Sequence, residues 1–161
     1  MKTLSRNIDQ RLQKIIAREK AAKQARETEE AHRLAQQTER QNAEARAQSD
    51  WVAVRSQFEK LVADLNGQLQ ETSMSLELGT SRVSATANRL EDLEVTLKRD
   101  GVLAKAQRLA VKIERDGLVR TTIMVNPQPE AEQAPFYIKD PQCTEKFRDV
   151  ILTYLEAATG V

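Results

Sequence analysis

The chain has 161 residues, 40% hydrophobic and 30% charged, with 25 Lys/Arg against 24 Asp/Glu and a formal net charge of +1. That leaves room for one modest domain plus an extension, with charge too nearly balanced to name a partner by itself. A single cysteine and a single histidine exclude an intramolecular disulfide framework and a Cys/His zinc site, and no run approaches the roughly 20 apolar residues that cross a bilayer.

Residues 4–48 consist largely of Ala, Gln, Glu, Lys and Arg without glycine or proline, the composition of a long helix. Glu19/Lys23, Lys23/Glu27, Arg26/Glu30, Glu29/Arg33 and Arg40/Glu44 have the spacing of helical ion pairs, each worth about 0.2–0.5 kcal/mol. Between Ala17 and Asp50 the only large aliphatic side chain is Leu34, so this part is too polar to build a core. Its apolar seam lies at the start. Ile8, Ile15, Ala22 and Ala25 hold a loose heptad with Leu4 and Leu12 beside it, and the register then meets Glu29 and His32. A short coiled coil over 4–25 is one expectation, and a solvated helix or a membrane-surface helix are the others. Residues 1–48 carry 11 Lys/Arg against 7 Asp/Glu and residues 49–161 carry 14 against 17, so a basic end precedes a mildly acidic body. Lys2, Arg6, Arg11, Lys14, Arg18 and Lys20 supply most of that excess.

Ser49-Asp50 marks either a helix cap or a change of face. The stripe that follows, Trp51, Val54, Phe58, Leu61, Val62, Leu65 and Leu69, predicts an amphipathic helix over 51–69 that covers one face of a sheet. Met74, Leu76 and Leu78 alternate, which predicts a strand at 74–79. Residues 80–90 stay open between strand and helix.

A doubled phrase follows: L-E-V-T-L-K-R-D-G-V-L at 93–103 and L-A-V-K-I-E-R-D-G-L-V at 109–119. In each copy alternating apolar residues precede Asp-Gly, the pair that supplies the positive φ of a two-residue hairpin turn. Strands are expected at about 93–98, 109–115 and 118–125, forming an antiparallel meander. The proline-punctuated stretch 126–135 reads as a loop and Phe136–Lys139 as a short returning strand. Asp140-Pro141 then opens a helix over 142–158 with the stripe Cys143, Phe147, Val150, Ile151, Tyr154, Leu155 and Ala158, ended by Gly160. The fold class expected is α+β. A charged helix at 1–48 precedes a module at 49–161, in which a small antiparallel meander is covered by the 51–69 helix and the C-terminal helix.

Chemistry is sparse. His32 lies in the polar helix with nothing near it to orient the ring, and Cys143 sits on an apolar stripe, where a free cysteine behaves as a small hydrophobe. Phosphate-cradling glycine loops are missing. The repeated R-D-G invites a basic rim, with Arg99 and Arg115 at one end of neighbouring hairpins near Arg82, Arg108 and Arg120. Local acids favour simple solvation instead. Trp51, Phe58, Phe136, Phe147 and Tyr154 all fall on predicted core stripes.

The function expected is a non-catalytic interaction or scaffold protein, cytoplasmic and without a cofactor. It would self-associate or dock on a protein partner through Leu4, Ile8, Leu12, Ile15 and Ile16, and present an exposed sheet edge or the groove beside the last helix. An alternative is an anionic-surface binder, for lipid or nucleic acid, using Lys2, Arg6, Arg11, Lys14, Arg18 and Lys20. A second alternative is a small-molecule binder or enzyme with a cavity between sheet and helices.

Overall fold

The computed structural model describes residues 2–80 and 89–160, without the side chains of residues 2, 3 and 105. The chain divides into two units, Met1–Asn42 and Ala43–Val161. The elements run α1 (Lys2–Gln68), β1 (Met74–Thr80), β2 (Arg89–Arg99), β3 (Val102–Glu114), β4 (Leu118–Val125), β5 (Ala131–Glu132), β6 (Phe136–Tyr137) and α2 (Cys143–Thr159).

The first unit is helix alone. Lys23 and Glu27 approach to 4.0 Å in it, one of the pairs that the spacing anticipates. No break occurs at Ser49-Asp50, because neither residue interrupts helical φ/ψ and both side chains face solvent, where they do not compete for the backbone. These two residues therefore mark a change of face and not a cap. The buried stripe starts earlier than Trp51, at Ala47, which moves the boundary between the units to 42/43.

The second unit is an antiparallel meander in the order β1-β2-β3-β4-β5, with β6 also pairing β4. Period-two alternation sends Leu93, Val95 and Leu97, then Leu109, Val111 and Ile113, then Val119, Thr121, Ile123 and Val125 to one face, and all of them are buried. Two helical stripes close over that face. Trp51, Phe58, Leu61, Val62 and Leu65 come from α1, and Cys143, Phe147, Val150, Ile151, Tyr154 and Ala158 come from α2. Phe147 ties the layers together, meeting Phe58 and Phe136 edge-on with ring centroids 4.9 Å apart in each case. The opposite face is polar and laced by cross-strand ion pairs. Lys98 meets Glu77 at 3.6 Å, Arg108 meets Glu94 at 3.0 Å, and Arg120 meets Glu114 at 2.6 Å.

The two Asp-Gly turns differ. Asp100 and Gly101 have φ of 50° and 78°, the two positive values of a tight two-residue hairpin. In the second copy only Gly117 is positive, at 87°, and its N–H donates to Glu114 O at 3.0 Å. This is a three-residue turn with glycine in the left-handed position, not the two-residue turn expected. Because each hairpin reverses the chain, Arg99 and Arg115 flank opposite ends of β3.

Several bounds also shift. The 126–135 stretch contains the two-residue β5, which adds to β4 at Thr122 and Ile123. The returning strand stops at Tyr137, and Asp140-Pro141 precedes the last helix by a residue. Gln142 stands at the N-cap position of α2 without a side-chain capping bond, and its N–H donates to Asp140 Oδ1 at 2.9 Å. Of the segment 80–90, Thr80 closes β1 and Arg89 opens β2, while 81–88, Arg82 included, lie outside the described residues.

Candidate functional site

All five aliphatic residues proposed for docking lie on α1 and are exposed: Leu4 71%, Ile8 62%, Leu12 53%, Ile15 60% and Ile16 44%. Steps of four, four and three place Leu4, Ile8, Leu12 and Ile15 on one face, and Ile16 widens it on one side. The helix forms here through straight-chain residues and alanine, with no glycine or proline to stop it. Its apolar face is not needed for the core, which draws on α1 only from Ala47 onward.

Cations border the stripe on both sides. At 100° per residue, Arg11 and Arg18 fall next to Leu4 and Ile15, with Lys14 just beyond, while Lys20 falls next to Ile16 on the other margin and Arg6 follows it. These five side chains are exposed. Lys2 shares the Lys20 margin by sequence position. Acidic groups are few in this stretch: Asp9 lies by the Lys20 margin, and Glu19 closes the stripe at its C-terminal end. In heptad terms Ile8, Ile15 and Ala22 occupy one seam position, and Leu4, Arg11, Arg18 and Ala25 the other.

The second unit offers less. A shallow groove of about 240 Å³ runs beside α2, lined by Pro135, Phe136 and Val150 with Lys146 and Asp149. Another, of about 160 Å³, lies by the β3-β4 turn between Arg46, Asp50, Asp116 and Lys139. Both are smaller than the roughly 300–1,000 Å³ usual for small-molecule sites. Lys146 is engaged by Asp140, and that contact, with the Gln142 N–H, holds the Asp140 carboxyl below its ordinary range.

One edge of the sheet, β1, is blocked at its centre. Leu76 N–H donates to Asn66 Oδ1 at 2.6 Å, and Asn66 Nδ2 donates to Leu76 O at 2.9 Å. One carboxamide thus takes both backbone groups that a neighbouring strand would use. Thr72 Oγ1 accepts from Met74 N at 3.0 Å. A carboxamide before a strand start is too common in sequence to signal this role.

The arginine rim does not assemble. Arg99 reaches the C-terminus of α2, donating to Ala158 O at 3.3 Å, while Arg108 and Arg120 lie in ion pairs on the outer face. His32 is exposed. Cys143 is buried, and burial pushes its thiol up to about 11, away from the reactive thiolate. At the margin of the core, half-buried Glu91 sits at the end of the buried row of β2, where Trp51 Nε1 donates to it at 2.7 Å and Arg55 meets it at 2.9 Å. Among the described residues no group of His, Cys, Asp and Glu gathers as metal ligands, and no helix is long and apolar enough to cross a membrane.

Fold and surface together define an α+β module that follows a helix with an exposed amphipathic start. Compared with protein-family models, with curated proteins and with solved structures, the chain gives no match.

Proposed function

We propose that the protein is a non-catalytic docking or scaffold protein. Its N-terminal helix attaches the chain to a target through Leu4, Ile8, Leu12, Ile15 and Ile16, and the Ala43–Val161 module is what the helix carries. One observation bears most of the weight: five large aliphatic side chains on one helical face, each between 44% and 71% exposed, in a chain whose core is complete without them. A contiguous apolar stripe of that kind costs solvation unless something covers it.

The test compares the full chain with the Ile8→Glu/Ile15→Glu double variant, whose altered positions lie outside the core. Solution mass by light scattering and retention of cell-extract proteins and membranes are measured for both. Association present in the parent and lost in the variant is the expected result. Identical mass and identical retention in the two forms would refute the helix as the docking element.

A further inference from the structure

We infer that the target of the N-terminal helix is an anionic lipid surface, on which residues 4–20 lie in the interfacial plane; this rests on the docking reading above. The distribution of charge around the stripe carries it. Arg11 and Arg18 border one margin and Lys20, beside Asp9, the other, with Lys14 and Arg6 each about 80° beyond the stripe's edges, whereas the face opposite the stripe holds Gln10, Ala17 and Ala21. Long cationic side chains at both margins can lay their methylene stems along an apolar surface and keep their charged ends at headgroup level.

The same pattern argues against a second copy as the occupant. Pairing two such helices in the heptad register would put Arg11 and Arg18 in the seam, where apolar residues are required, and leaves Asp9 as the one acid beside the cations of the two margins. A protein groove usually accepts a narrow row of anchors at i, i+3/i+4 and i+7. Here Leu4 through Ile16 spread over roughly a third of the helix circumference at 100° per residue, which suits a flat boundary better than a slot. The stripe is also far short of a membrane-spanning length. Residues 49–161 carry 14 Lys/Arg against 17 Asp/Glu, so attraction to an anionic surface belongs to the N-terminal segment.

The experiment is flotation of the full chain with vesicles of phosphatidylcholine alone or with phosphatidylserine added, at low and at moderate ionic strength. Binding is expected on the anionic vesicles and is expected to weaken as salt screens the surface charge. Arg11→Gln/Lys14→Gln/Arg18→Gln should lower it roughly fivefold per cation, on the order of a hundredfold for the three. Ile8→Glu/Ile15→Glu should abolish it. Equal binding to neutral and anionic vesicles overturns the inference. So does salt-sensitive binding that survives Ile8→Glu/Ile15→Glu, which would be attraction to any polyanion. If the full chain ignores anionic vesicles yet self-associates, or holds an acidic protein, through Ile8 and Ile15, the lipid inference falls while the docking reading stands.

Discussion

The hydroxyl of Tyr154 takes the place of a missing strand neighbour at Leu97. The β2–β3 ladder shifts register between Thr96 and Lys98, whose partners are Arg108 and Leu103, so four residues of β3 bulge opposite Leu97. Leu97 N–H donates to Tyr154 Oη at 2.9 Å, and Tyr154 Oη donates to Gln107 O at 2.9 Å. A side chain of α2 therefore satisfies one donor and one acceptor that the bulge strips from the sheet.

Tyr154→Phe keeps the ring and removes that bridge. It leaves Leu97 N–H buried without a partner, at a cost of about 1–3 kcal/mol. Urea denaturation should show a lower midpoint with an unchanged slope, and an unchanged midpoint would mean that water replaces the hydroxyl.

Thr121 predicts the opposite sign. It is fully buried in the inward row of β4 between Val119 and Ile123, and its Oγ1 has no hydrogen-bond partner among the described residues. Thr121→Val replaces an unsatisfied hydroxyl by a methyl of similar size and should stabilise the fold by about 1 kcal/mol. Read with Tyr154→Phe in the same denaturation assay, the pair separates a bonded buried hydroxyl from an unbonded one.

Alkaline pH should weaken the fold through two groups on α2. Burial raises the Cys143 thiol from 9.0 to about 11, helped by the Asp140 carboxylate and opposed by Lys146. Burial also raises Tyr154 above its ordinary 10.0, against the pull of the Leu97 N–H bond. Well below pH 9 both groups are protonated folded and unfolded, and they add no pH dependence. As pH passes 9 the unfolded chain releases the thiol proton first and binds fewer protons, so stability falls, by at most about 1.4 kcal/mol per pH unit for each group. Urea midpoints at pH 8 and pH 10.5 measure the drop, and Cys143→Ala should flatten its earlier part.

The two turn glycines should differ in what they tolerate. Gly101 has φ of 78° with open space where a Cβ would go, whereas at Gly117, φ 87°, a Cβ would meet Ile138 Cγ1 at 3.0 Å. Gly101→Ala carries only the left-handed strain, roughly 1–2 kcal/mol, while Gly117→Ala adds a displaced core isoleucine and should cost more. Equal thermal shifts for the two variants would show that Ile138 yields freely.

Much of this architecture is legible in the sequence because its two periods are unambiguous where they matter. Trp51 through Leu65 and Cys143 through Ala158 repeat at helical spacing, and the doubled phrase alternates at strand spacing, so the core list follows directly. The exposed row of Leu4, Ile8, Leu12, Ile15 and Ile16 was equally readable, since no charged residue falls within it until Glu19. What the pattern could not carry depends on geometry at single residues. Ser49-Asp50 caps or continues a helix according to φ/ψ alone. Asp-Gly serves two turn types, and the bulge at Leu97 depends on an inserted stretch whose alternation looks continuous. Arg99 and Arg115 share a phrase but not a sheet end, since each turn of a meander reverses the chain.

Asn66 guards the β1 edge, and its removal should be visible both in stability and in association. β1 is the outer strand of the sheet, and the Asn66 carboxamide occupies the N–H and C=O of Leu76 at its middle. Asn66→Ala withdraws both bonds and leaves those backbone groups facing outward, at a cost of about 1–3 kcal/mol where water reaches them poorly. The opened edge is also a template for another strand. Light scattering should therefore find association that rises with concentration, and in a background carrying Ile8→Glu/Ile15→Glu it should persist, because it runs through β1 and not through the N-terminal helix. Asn66→Asp keeps the acceptor for Leu76 N–H but sets a carboxylate against Leu76 O, so it should destabilise as Asn66→Ala does while its charge opposes edge pairing. Stability and mass unchanged in both variants would mean that the carboxamide is incidental to the edge.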